Sequence, residues 1–208
     1  MTVTLPPPLT ADSDDDAVAL LRKYFGETYL DARCYTGAFF DNWAPKHREA
    51  DVNKFTADDL VAITFLSVNI DARGARELLL NRAARFTDLL ESVGPDRDLV
   101  DESQALTDDD PIWLLEEELR SIRGIGRTKA TKLMARKRPR LIPIYDVVVG
   151  QVLNTRNRHR DPIREALRAD GGALNSRLLS LRPKAGLPDT IGTLRVLDVV
   201  SWMHGKSL

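Results

Sequence analysis

The chain has a single cysteine, Cys34. That excludes an internal disulfide, a thiolate zinc site and an iron-sulfur cluster, each of which needs at least two thiolates. Histidine is almost as scarce: His47, His159 and His204 are too scattered for a multi-histidine metal centre. Only an oxygen-ligand site for magnesium or calcium stays open. No apolar run exceeds about five residues, against the roughly 20 needed to cross a bilayer, so no membrane contact is expected. The start MTVTLPPPLTADSDDD lacks the basic residues and apolar core of a secretion signal, and a reducing, cytoplasmic location is expected. What remains is the composition of a globular protein, with 43% apolar and 29% charged residues among 208.

The formal net charge of −1 hides a strong polarity. Residues 120–184 hold 17 Lys or Arg against 4 Asp or Glu, and the rest of the chain carries the compensating acidic excess. Such a block is the electrostatic footprint of a phosphate-backbone binder. The competing reading is a basic surface paired against the protein's own acidic half.

Apolar spacing and helix-end signals predict a predominantly α-helical chain. Residues 1–13, with three consecutive prolines, are read as a flexible tail. Residues 14–208 are read as one helical unit. In it 56–153 form one lobe containing a helix-hairpin-helix at 112–136, and 14–55 with 154–208 form the second. Helices are predicted from Asp14 to Phe25, through LVAITFLSV after Thr56, and along ARELLLNRAARFTDLLESV to the Gly94-Pro95 stop. Asp110-Pro111, an acidic cap followed by proline at the first helical position, opens another over Ile112–Ile122. Four more are placed at Asp146–Leu153, Pro162–Ala169, Ala173–Leu181 and Thr190–His204. Residues 26–55, with Gly26, Gly37, Pro45 and aromatic pairs, are read as a hairpin or an ordered loop.

One stretch carries chemistry. In LRSIRGIGRTKATKLM, from Leu119 to Met134, Gly124 and Gly126 allow positive φ and close approach, while Ile122, Ile125, Ala130 and Leu133 pin two helices together. Free N–H groups at the start of the second helix make a phosphate site. Arg123, Arg127, Thr128, Lys129 and Lys132 surround it. This pattern resembles the helix-hairpin-helix at all eight of its diagnostic positions; the plain alternative is a tight helical corner. The resemblance implies binding to double-stranded DNA through the backbone without sequence readout, by a monomer, with a monovalent or divalent cation admissible at the hairpin and no other cofactor.

The following segment, RKRPRLIPIYDVVVGQVL, places Asp146 20 residues after Gly126. Loop and spacing are similar to those of the helix-hairpin-helix DNA glycosylase superfamily. That resemblance implies a two-lobed fold, base flipping into a cleft, and Asp146 as the carboxylate that supports an oxocarbenium-like sugar. By residue type alone Asp146 is equally an N-cap. Some members carry a Schiff-base lysine two residues after the second hairpin glycine; here that position is Thr128, so hydrolysis without strand nicking is expected. Val147 and Val148 replace the Thr-His or Val-His often found after the aspartate. The whole chain, with KYFGETY, FTADDLVA and ARKRPRLIPIYD, also resembles an uncharacterised family of high-GC actinobacteria, which implies a bacterial, nucleoid-associated protein.

Seven of the 13 aromatic residues fall between Tyr24 and Trp43. Tyr35, Phe39 and Trp43, with Tyr145 beside the aspartate, are candidate walls of a base pocket; a core beneath a loop is the alternative. His47 and His159 are read as surface residues, and Glu116–Glu118 as a solvated helix face. Against the glycosylase stand a non-catalytic helix-hairpin-helix module that kept the frame without activity, and an interaction domain for an acidic partner.

Overall fold

A computed structural model describes residues 3–156 and 158–207. Among these residues there are helices and no strand. The α-helices are α1 (Asp15–Phe25), α2 (Phe39–Asn42), α3 (Pro45–Ala50), α4 (Ala57–Thr64), α5 (Ala72–Arg76), α6 (Ala83–Val93), α7 (Pro111–Arg120), α8 (Arg127–Lys137), α9 (Val147–Val152), α10 (Arg160–Arg168), α11 (Ala173–Lys184) and α12 (Thr193–Lys206).

Helix ends follow local chemistry. Thr56 and Asp59 close a capping box at the start of α4. The carboxylate of Asp110 accepts the Ile112 N–H ahead of Pro111 in α7, and that of Asp146 accepts the Val148 N–H at α9. The helix predicted along residues 75–93 is interrupted. A π-helical turn over Glu77–Asn81 runs into Arg82, whose φ of −120° breaks the ladder before α6.

Two groups of helices form. In one, α8 packs against α4 and α7, and α7 against α6; in the other, α12 is enclosed by α1, α9 and α11. Helix α9 therefore belongs with the C-terminal group, although the sequence placed it in the 56–153 lobe. Its docking is close: a Cβ on Gly205 of α12 would lie 2.5 Å from Val148 Cγ1, so only glycine lets the two helices meet there.

Two expectations are corrected. The N-terminal segment is packed rather than loose: Leu9 is buried, the Thr4 N–H bonds to the Leu153 carbonyl, and Arg177 reaches the carbonyls of Leu9, Ala11 and Ser13. Residues 26–55 hold short helical turns and no β-hairpin. Their carbonyls find partners in distant guanidiniums: Arg136 takes Phe40 O and Trp43 O, and Arg195 takes Gly37 O. Strand pairing is not needed to satisfy them.

Candidate nucleic-acid interface and catalytic cleft

The hairpin between α7 and α8 is built as its glycines suggest, with one difference. Gly124 has φ +86°, in the left-handed region that favours glycine, whereas Gly126 is extended. As N-cap of α8, Gly126 offers no side chain to the first-turn N–H groups, which leaves them for an external acceptor. Ile122, Ile125, Ala130 and Leu133 are buried and lock the corner; Arg123, Gly124 and Gly126 are exposed.

The basic block is another matter. Every residue of α8 from Ala130 to Lys137 is buried. Lys137 Nζ lies 2.6 Å and Arg136 Nε 3.4 Å from the carboxylate of Asp59, itself buried on α4. Arg138 caps the carbonyls of Gly94, Val52 and Leu90. Arg140 pairs with Asp98, Arg120 with Glu116, Arg182 with Asp189, and Arg177 and Lys184 with Asp14. Most of the positive segment thus neutralises the acidic remainder inside one molecule. At the hairpin Arg123 and Lys129 are left without a carboxylate, while Arg127 Nε stands 4.0 Å from Glu116 Oε1. Lys129 folds its Nζ onto Gly124 O at 2.7 Å, and Arg127 lies over the Tyr145 ring, 4.1 Å from its centroid, donating to Arg156 O.

Lys132 does not belong to that external set. It is 3% exposed, donates to Leu66 O at 2.9 Å, and sets its Nζ 3.7 Å from Asp146 Oδ2. Burial pulls its basicity down, and the Asp146 charge partly restores it. Both residues line a cavity of about 280 Å³ where the two helix groups meet. Its aromatic walls are Tyr24, Tyr35, Phe65 and Trp202. Tyr24 and Tyr35 stack with centroids 5.5 Å apart, and Trp202 stands edge-on to both. On the lip Ser67 adopts φ +60°, directly after the carbonyl that Lys132 engages.

Of the predicted pocket residues, only Tyr35 lines this cavity. Phe39 and Trp43 pack on the outer side of Phe65, with Trp43 Nε1 bonded to Asp58. Tyr145 points away from the cavity, between Arg127 and His159. His159 is not a surface residue: it is buried between Thr155 Oγ1 and Ile144 O, and desolvation lowers its pKa to about 4. His47 is exposed and paired with Asp58. Glu116 is drawn inward, into a second cavity of about 270 Å³ on the other side of α8 that also takes in Trp113, Arg127 and Arg158. Burial raises its pKa, against Arg127 and Arg120.

Tyr24, Phe65, Trp202, Asp198 and Arg195 are cavity residues that sequence reasoning missed, and Lys132, which it named, was assigned to the hairpin surface instead. One signal was available for the lysine. Ala130, Leu133, Met134 and Ala135 occupy more than one side of α8, so no broad solvent face remained for the cations between them.

A family model described as a family of unknown function, DUF6308, matches residues 17–205. No curated protein matches the chain. No solved structure matches it either.

Proposed function

The chain belongs to this DUF6308 family, and from the cleft it carries we propose that it acts on duplex DNA as a glycosylase of helix-hairpin-helix type. In this reading the Gly124–Gly126 hairpin holds the phosphate backbone, and a modified base turns into the Asp146 cavity. The observation that carries the proposal is the meeting of a partly open carboxylate and a buried amine, 3.7 Å apart, in an aromatic-walled cavity. The hairpin lies next to it, since Thr131 on α8 accepts the Tyr145 N–H.

Each part has a task. First-turn N–H groups of α8, with Arg123 and Lys129 beside them, favour a phosphate oxygen. Extruding a base costs a few kcal/mol, least for a weakened pair, and stacking on Tyr35, Trp202 or Phe65 offsets part of it. Asp146, side chain 24% exposed, faces C1′ of the sugar; its negative charge stabilises the cation that grows there as the C1′–N bond breaks. Water then adds to C1′.

Lys132 modifies one expectation. Position 128 is threonine, but Lys132 lies one turn further along the same face of α8, and its amine enters the cavity. A desolvated amine beside a carboxylate is a nucleophile for the C1′ aldehyde of an abasic site. Strand nicking therefore belongs to the proposal, although the threonine alone argued for hydrolysis only.

The test is single-turnover excision on duplexes carrying alkylated, oxidised, deaminated and mismatched bases, for the wild type and Asp146→Asn. Excision that disappears in the variant while duplex binding survives supports the proposal. Binding with no excision across the panel favours the non-catalytic module, in which Asp146 serves only as the cap it also is.

A further inference from the structure

The cavity of about 270 Å³ on the other side of α8 takes no part in the mechanism above. Helix α7 supplies one wall. Trp113 and Glu116 stand three positions apart on it and so share a face, with Ile112 alongside. Met134 of α8 and Ile142 add apolar surface. The chain leading into α10 brings two guanidiniums, those of Arg158, which is exposed, and Arg160, which is buried.

Several of these groups have bonding capacity that the protein leaves unused. Arg160 is 9% exposed, and its Nε and Nη1 have no hydrogen-bond partner. Its carboxylate neighbours stand off, Glu102 Oε2 at 3.5 Å from Nη2 and Asp161 Oδ1 at 3.6 Å from Nη1. Buried donors in that state cost free energy until an acceptor reaches them. Arg158 has no carboxylate partner among the described residues. On Glu116 the contacts from Arg120, at 3.5 Å, and Arg127, at 4.0 Å, both fall on Oε1, and Oε2 accepts no hydrogen bond among the described residues. No ring of the described residues stacks on the half-buried Trp113. The lining charges balance, with Arg127, Arg158 and Arg160 against Asp108, Glu116 and Asp161. Placement of the groups, not net charge, therefore selects a ligand.

An indole with a carboxylate at its edge suits a planar ring that carries two adjacent N–H donors: the ring stacks on Trp113 while the donors meet the two oxygens of Glu116. Among the common nucleobases guanine has that edge, with N1–H beside the N2 amino group. Adenine and cytosine set ring acceptors next to their amino groups, which would face a carboxylate oxygen. The volume lies just under the roughly 300 Å³ at which pockets for drug-sized ligands begin, so a base fills it and a phosphate stays at the mouth with the exposed Arg158. We propose that this cavity binds a guanine nucleotide, the base between Trp113 and Glu116 and the phosphate on Arg158, with Arg160 behind it. Two sources present that chemistry. One is a free nucleotide, and the other is an unpaired guanine of a strand held at the hairpin, whose Arg127 also lines the cavity. The inference does not rest on the glycosidic reading.

The test is titration calorimetry of the full chain with guanosine monophosphate, adenosine monophosphate, guanosine and inorganic phosphate. The guanine nucleotide is expected to bind at least about tenfold more tightly than each of the other three. Glu116→Gln brings the two nucleotides to within about threefold of each other, and Arg158→Gln weakens the guanine nucleotide about tenfold while guanosine is unaffected. Arg158 is exposed, so its variant gives a result even where the Glu116 variant fails to fold. Competition identifies the source. An oligothymidine with one central guanine that binds more tightly than the free nucleotide and displaces it assigns the site to a strand, and the reverse order assigns it to the free nucleotide. No binding of the guanine nucleotide or of that oligonucleotide up to about 1 mM overturns the proposal. Equal wild-type affinity for the two nucleotides overturns it as well. So does binding that survives both variants and is lost in Asp146→Asn, which would put the ligand in the other cavity.

Discussion

Salt dependence of duplex binding separates the charge that the sequence displays from the charge that the fold leaves free. Residues 120–140 contain nine basic side chains and no acidic one. Were all nine set against phosphates, log K would fall with log salt at a slope of about −8, at roughly 0.9 per phosphate neutralised. Four of them, Lys132, Arg136, Lys137 and Arg138, are buried, while Arg120, Arg127 and Arg140 are paired with carboxylates. Arg123 and Lys129 remain, joined at most by the exposed Arg156 and Arg158. Two to four contacts give a slope of about −1.8 to −3.6. Between 50 and 200 mM salt the loss of affinity is then on the order of 12- to 150-fold, against about 10⁵-fold for nine contacts. Fluorescence anisotropy on a 20-base-pair duplex in a potassium chloride series measures it directly. A slope steeper than about −6 would show that the buried cations reach DNA, and the internal charge accounting would be wrong. No binding at 50 mM would remove the hairpin as an interface.

Three further outcomes follow from the same geometry. Asp59→Asn leaves Arg136 and Lys137 buried without their carboxylate, which costs about 3–5 kcal/mol; at about 2–4 °C per kcal/mol the melting temperature drops by roughly 6–20 °C, and Lys137→Met added to it recovers part of the loss. A drop below about 3 °C would mean the cluster is hydrated. Two groups oppose each other below neutral pH. His159, with its pKa lowered to about 4 by burial, is protonated first in the unfolded chain, so stability falls as pH drops from about 6.5 to 4. Asp198, with its pKa raised to about 6, takes its proton first in the folded chain, so stability rises as pH drops from about 6 to 4. The Asp198→Asn variant lacks that opposing contribution, so between pH 6.5 and pH 4 its melting temperature is expected to fall more than that of the wild type; parallel curves would contradict the linkage. Finally, abasic DNA mixed with the protein and sodium borohydride is expected to give a covalent adduct, as the Lys132 amine condenses with the C1′ aldehyde, water leaves, and the C=N bond is reduced. Lys132→Met abolishes the adduct; an unchanged yield in that variant would assign the amine elsewhere.

Helices were legible where a cap and an apolar period coincide. Asp110-Pro111, the Thr56 box and Asp146 each fixed a helix start from side chains acting on N–H groups two or three residues away. Local chemistry of this kind is present in the sequence itself. Residues 26–55 were not legible because what orders them is remote. The guanidiniums that satisfy their carbonyls come from Arg136 and Arg195, more than 90 residues further on. The packed N-terminal segment has the same cause, since Arg177 holds it from α11.

For the site the division runs along the same line, and Lys132 shows why. Summing charge along the chain treats each lysine as though it faced solvent, and by that sum Lys129 and Lys132 are equivalent. On a helix they stand three positions apart, nearly one turn, so they share a side of α8 and differ only in what covers it. Lys129 lies in the first turn, where the hairpin opens outward, and finds only the Gly124 carbonyl. At Lys132 the same side of the helix has passed beneath Leu66 and the N-cap of α9, and the amine meets Asp146. The cavity exists because α8, α9 and α12 meet there, with α1 and the Tyr35 segment closing it. Trp202 and Asp198 enter from a helix that begins 47 residues after Asp146. Spacing within one segment could find the aspartate beside the hairpin, whereas the amine and the second carboxylate needed the packing of helices distant in sequence.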